Sequence, residues 1–121
     1  MEPARLTFHL TPTEWWAAAD PSAPLTAPSL DTEGFIHCTT GAAEMVATAN
    51  RYYRDDPRPF VVLTLDLGRL TAPVRVDDPA GIYPHIFGPI DRPAIVAAQP
   101  MPRDAEGTFL PFATDGAAVP G

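Results

Sequence analysis

The sequence predicts an α+β fold, a single small domain with two main helices and most of its strands in the second half. Two observations carry this prediction. The apolar runs and their breaks read, in order, strand, helix, loop, strand, helix and then three strands. Helices early and strands late are the mark of α+β rather than of a regular βαβ alternation. The second observation is where the histidines stand. All three lie inside apolar, strand-like runs: Leu6-Thr7-Phe8-His9-Leu10, Gly34-Phe35-Ile36-His37-Cys38 and Ile82-Tyr83-Pro84-His85-Ile86-Phe87. Imidazole is unfavourable to bury without a partner, and its reference pKa of about 6.5 suits acid–base work. Three imidazoles on strands and none on polar loops point to one site assembled on a sheet.

Residues 5–10 read as the first strand. Thr11 is then expected to cap a helix, with Pro12 at its first position and Glu14 three residues after the cap. That helix carries Trp15 and Trp16, one expected to pack inside and the other to close a pocket, and it ends near Asp20-Pro21. Residues 20–33, interrupted by Pro21, Pro24 and Pro28, read as a loop long enough to wall or cover a site. Residues 35–38 form a short strand, after which Thr39 or Thr40 is expected to cap the second helix. There Ala42, Met45, Val46, Ala49 and Tyr53 recur at helical spacing as a buried stripe. Residues 55–59, Asp-Asp-Pro-Arg-Pro, end it.

Residues 60–65, Phe-Val-Val-Leu-Thr-Leu, are rich in β-branched side chains and read as a central strand. Residues 74–76 form a short strand, 77–92 a turn-rich segment around one rigid apolar piece, and 94–98 a last strand. The core is thus expected over residues 5–99 of the single domain 1–121. Residues 100–121 form a Pro/Gly/Ala-rich extension, in which Phe109, Leu110, Pro111 and Phe112 can still pack on the body.

At 121 residues and 45% apolar composition the chain supports one real core. A formal net charge of −7 and eight scattered basic residues argue against binding a nucleic-acid backbone. No apolar run approaches the roughly 18 residues of a membrane span, and the first residues lack a signal-peptide pattern. The single cysteine, Cys38, leaves no internal disulfide and no multi-cysteine zinc site. The expectation is a cytoplasmic protein whose partner is a small molecule. The sixteen prolines fall mainly between the apolar runs, as loop stiffeners. Phosphate-binding glycine loops, nucleophile elbows and paired-histidine helix motifs are absent from the sequence.

Several spaced motifs occur together and in order. They are Gly34-Phe35-Ile36-His37-Cys38-Thr39-Thr40, Ala49-Asn50-Arg51-Tyr52-Tyr53, a strand ending Leu65-Asp66, Val74-Arg75, and Tyr83-Pro84-His85-Ile86-Phe87-Gly88-Pro89-Ile90. In this combination, over residues 5–99, the chain resembles the bacterial domain-of-unknown-function 952 family. That family is grouped by remote similarity with the ADP-ribosyltransferase-like fold. The resemblance implies a bent or split, mainly antiparallel sheet with an NAD cleft between its halves. It also implies a nucleotide- or NAD-like pocket that cleaves the N-glycosidic bond of NAD or transfers ADP-ribose. Fold analogy alone specifies no reaction.

In that reading His37 and His9 orient the ribose and diphosphate, and His85 acts as acid, base or gate. Asp77 stabilises positive charge on the ribose as nicotinamide leaves. Thr39, Thr40 and Arg75 hold the ligand, and Tyr53 and Tyr83 supply ring surfaces. Electrostatic preorganisation would do most of the work. The chain departs from the pattern where Asp77 and Asp78 stand in place of a glutamate after Arg75. It also lacks the Glu-x-Glu pair of the toxins, so protein ADP-ribosylation is not expected.

Each candidate has a plainer structural explanation. A strand histidine can be satisfied by a backbone carbonyl, a threonine can cap a helix, and Tyr53 can be core. Adjacent aspartates are usually solvated, Arg51 can sit in water on its helix, and Cys38 can be a small apolar filler. Three imidazoles can also hold zinc with one open position, but nothing in the spacing demands it and no metal is expected. The rival classes are a biosynthetic enzyme using histidine acid–base chemistry on a small metabolite and a non-catalytic binding module.

Overall fold

The computed structural model describes residues 5–114. Two three-stranded antiparallel sheets form its frame. The larger is built from β1 (Leu6–Pro12), β3 (Phe60–Asp66) and β6 (Ile95–Pro100), with β3 in the middle. The smaller is built from β2 (Ile36–His37), β4 (Val74–Arg75) and β5 (His85–Ile86), with β5 in the middle. One backbone bridge joins them: the Phe8 amide donates to the Thr39 carbonyl at 2.9 Å and the Thr39 amide to the Phe8 carbonyl at 2.8 Å.

The unbroken apolar run of β3 follows from its position. Val61, Leu63 and Leu65 face one core cluster with Ile36 and Ile86 of the small sheet. Phe60 and Val62 face a second cluster with Met45 and Ala49 of α3 (Ala42–Tyr53). A strand covered on both faces has no solvent side on which polar residues could alternate. Its fully buried aliphatic side chains each contribute roughly 1.5–3 kcal/mol.

Four local expectations are corrected. Thr11 and Pro12 belong to β1, paired with Val61 and Phe60, so α1 begins at Thr13 and has no side-chain cap. The ladder to β3 extends the strand past the proline, whose missing N–H falls at the strand's end. The loop over residues 20–33 holds a one-turn helix, α2 (Pro28–Thr32), and a bridge from Leu25 to Ile90. Both expected helices are present among the described residues, α1 (Thr13–Ala18) short and α3 twelve residues long, with α2 adding five.

Neither Thr39 nor Thr40 caps α3. Gly41 occupies the cap with φ of 98°, in the region where L side chains are strained. The Thr40 hydroxyl instead donates to the Thr7 hydroxyl at 2.9 Å. Finally, the core does not stop at residue 99. Met101, Phe109 and Phe112 are buried in the second cluster, while Leu110 stays exposed.

Candidate functional site

A cleft of about 1040 Å³ opens beside the junction of the two sheets, lined by residues from β1, α2, β2, α3 and the segment before β5. All three histidines line it. His37 and His85 are register partners in the small sheet, with ring centroids 5.6 Å apart. His9 comes from β1 of the large sheet, between Thr7 and Thr11 on the same strand. Its Nδ1–H donates to the His37 carbonyl at 2.8 Å.

That bond determines the chemistry of His9. A carbonyl can only accept, so Nδ1 carries the proton and Nε2 is left as an acceptor in the neutral ring. Burial pushes the His9 pKa down, the His37 carbonyl partly offsets this, and the nearby His37 ring adds to the lowering. His9 therefore presents a fixed, uncharged imidazole to the cleft.

His37 is held differently. Half exposed, it places Nε2 3.1 Å from the Glu33 carboxylate. The geometry follows from Gly34, whose φ of 89° turns the chain between α2 and β2. Phe35, two residues before His37 and so on the same face of the strand, stacks flat on His85 at 4.1 Å and meets His37 edge-on at 4.9 Å. The two imidazoles are thus fixed by an aromatic ring, and one of them by a carboxylate.

The other candidates divide. Thr39, Tyr53, Tyr83 and Asp77 line the cleft with the histidines, whereas Thr40 and Arg75 do not. Arg75 is exposed and pairs with Asp77 at 3.2 Å. Tyr53 lies half out of the helix stripe, and desolvation is the main cause pushing its pKa up. Asp78 accepts the amides of Ile82 at 2.7 Å and Tyr83 at 2.9 Å. These bonds hold its carboxyl below the usual range and fix the turn that carries Tyr83. Cys38 is 4% exposed, and burial pushes its thiol up to about 12, which removes it as a nucleophile at neutral pH.

Other lining residues were not singled out in the sequence: Glu33, Thr48 and Arg58. Trp15 lines the cleft with the Arg58 guanidinium 5.1 Å over its ring, and Trp16 packs on the core beneath Arg92, at 5.2 Å. The expected division between the two indoles is therefore present. The i, i+4 spacing of Thr48 and Tyr52 on α3 was a readable signal. Glu33 and Arg58 sit in segments without periodicity, and only the folded chain brings them to the site. Among the described residues, no group of three or more His, Cys, Asp or Glu side chains is placed to hold a metal ion.

The sequence pattern of a family described as a protein of unknown function, DUF952, matches residues 10–98. The chain belongs to the DUF952 family. Solved structures of the protein CC0527 from Caulobacter crescentus share its fold. The crystal structure is 20% identical with a TM-score of 0.70, covering 88% of this chain and 94% of that one. The solution NMR structure is 21% identical with a TM-score of 0.65, covering 84% and 89%. No curated protein matches the chain. Among the described residues of this DUF952 protein, no helix is long and apolar enough to cross a membrane.

Proposed function

We propose that this DUF952 protein is a small-molecule enzyme whose cleft takes a nucleotide- or NAD-like substrate and acts on its ribose. The observation that carries the reading is the convergence of three strand-borne imidazoles in distinct states on one cleft: His9 neutral with a fixed tautomer, His37 on a carboxylate, His85 under an aromatic ring. A purely structural use of histidine would not bring all three to one surface.

The donor set fits such a ligand. The cleft's volume lies at the upper end for small-molecule sites, which run from about 300 to 1,000 Å³. Arginine side chains suit a diphosphate, and the Tyr52, Tyr53 and Trp15 rings offer flat faces for a base. NAD would bring an N-glycosidic bond whose cleavage releases nicotinamide. The protein's part is positional and electrostatic. His9 Nε2 accepts from a ribose hydroxyl, and Asp77 places negative charge where positive charge develops. His37 donates its Nε2–H to Glu33, which leaves Nδ1 as the nitrogen that accepts or moves a proton. A split sheet with its cleft at the seam also supports the ADP-ribosyltransferase-like assignment.

The test is to incubate the pure protein with NAD and follow nicotinamide by chromatography and mass spectrometry, with His37→Ala as control. Release that disappears in the variant is the expected result. A protein indifferent to NAD but showing a pH–rate profile near the imidazole pKa on another small metabolite would favour the second reading. That reading, histidine acid–base chemistry on a different substrate, is supported by the His37–Glu33 contact.

A further inference from the structure

The charged side chains around the cleft are, with one exception, already committed. Glu33 is on His37 and Asp77 on Arg75, while Asp78 accepts backbone amides. Arg58 is held by Asp56 at 2.8 Å and by Glu14 at 3.4 Å. Arg51 is different. It lines the cleft from α3, and among the described residues it makes no ion pair. Its neighbours are phenols: its guanidinium lies 5.9 Å from the centre of the Tyr52 ring, Tyr83 lines the same cleft, and the two tyrosines favour its charged form.

One turn earlier on the same helix, the Thr48 hydroxyl lies buried with no hydrogen-bond partner. A helical threonine ordinarily satisfies itself on the carbonyl three or four residues back. An orphaned hydroxyl in a native structure calls for an explanation, and an ion or water bound beside it is one. Thr48 also lines the cleft. An unpaired cation and an unpartnered hydroxyl thus occupy adjacent turns of one helix and share the cavity, in a protein whose net charge of −7 gives no general attraction for anions.

We infer that Thr48, Arg51, Tyr52 and Tyr83 form an anion subsite that takes the phosphoryl group of the cleft's substrate. The inference rests on the cleft being the ligand site and fixes the substrate class as phosphorylated. Donors arriving from four side chains match a tetrahedral group with three free oxygens. A carboxylate would be satisfied by the guanidinium alone, two oxygens on one fork. The phosphoryl end lies on α3, so the reacting ribose is directed toward the imidazoles on the sheets.

The experiment compares adenosine, adenosine 5′-monophosphate and inorganic pyrophosphate by calorimetry on the wild-type protein, Arg51→Gln and Thr48→Val. The monophosphate is expected to bind at least about tenfold more tightly than adenosine, the scale of a charge-assisted hydrogen bond. Arg51→Gln abolishes that preference. Thr48→Val weakens phosphate binding while leaving thermal stability unchanged or raised, because it deletes a hydroxyl that has no partner to lose. A purely structural Thr48 would show the reverse. Equal affinity for adenosine and its monophosphate overturns the inference but leaves a nucleoside pocket. So does failure of both phosphorylated probes to bind at about 10 mM, a concentration that reveals even weak binding. Phosphate binding through Arg51 without nicotinamide release from NAD upholds the subsite and rejects the NAD reaction.

Discussion

Two side chains at the core of the cleft wall make opposite statements about protonation. Cys38, its pKa pushed up to about 12 by burial, is a thiol at any physiological pH. Iodoacetamide at about pH 8, just below the free-thiol pKa, is therefore expected to label it only on unfolding. Mass spectrometry with and without denaturant reads this directly, and fast labelling of the native protein would refute it. His9 is neutral in the fold, with its pKa lowered chiefly by burial. Below about 6.5 the unfolded chain binds a proton at this position that the folded chain refuses, so its contribution to stability is present above that pH. It is lost as pH falls toward the depressed folded value. Urea midpoints measured between about pH 7.5 and 5 should fall on acidification. His9→Gln should flatten that slope. The sequence revealed that the histidines sit on strands, because apolar alternation is local. It did not reveal their partners. Glu33 and Phe35 matter through a turn at Gly34 and a cross-strand pairing to His85, neither of which leaves a periodic trace.

The elements differ in legibility for the same reason. The β-branched run of β3 announces itself, and α3 is readable from Met45 and Ala49. The small sheet is built from two-residue strands: β2 and β4 fall inside the short strands expected at 35–38 and 74–76, while β5 lies in the segment read as turn-rich. The sheet exists because Ile36 and Ile86 bury fully on β3. The expected capping box at Thr11 failed because seven paired residues of β1 outweigh one cap, worth about 1 kcal/mol. The start of α3 is set by the backbone of Gly41 rather than by a threonine side chain. Gly41→Ala would force a Cβ into left-handed backbone and against the Glu44 carboxylate, which must swing away. A loss of about 1–2 kcal/mol is expected, readable as a lower denaturation midpoint with unchanged circular dichroism. An unaltered midpoint would mean that the entry to α3 relaxes at no cost.

For the molecule as a whole, residues 101–112 after β6 are structural, while 115–121 of the expected extension lie outside the described residues. Arg103 donates to the carbonyls of Arg58 at 2.8 Å, Arg54 at 2.9 Å and Gly107 at 3.0 Å, and to that of Asp56, with its guanidinium 4.2 Å over the Phe109 ring. Phe109 is 2% exposed, and its backbone is bonded to both ends of the Asn50 amide. Phe109→Ala is expected to cost about 3–5 kcal/mol, the range for a buried aromatic, by chemical denaturation. A loss under about 1 kcal/mol would show that this segment packs only loosely. Composition suggested a Pro/Gly/Ala extension here, because Pro, Gly and Ala make up half of residues 100–121 while the two buried aromatics carry the packing.

The bridge between Phe8 and Thr39 joins the two sheets one residue from His9 and two from His37. The carbonyl that fixes the proton on His9 and the amides that align the sheets thus move as one body. Any rotation that opened the seam would release the Nδ1–H of His9 and let its proton migrate to Nε2. The ring would then turn from acceptor to donor toward the cleft. Alignment of the two halves and the polarity of the site are a single mechanical coordinate.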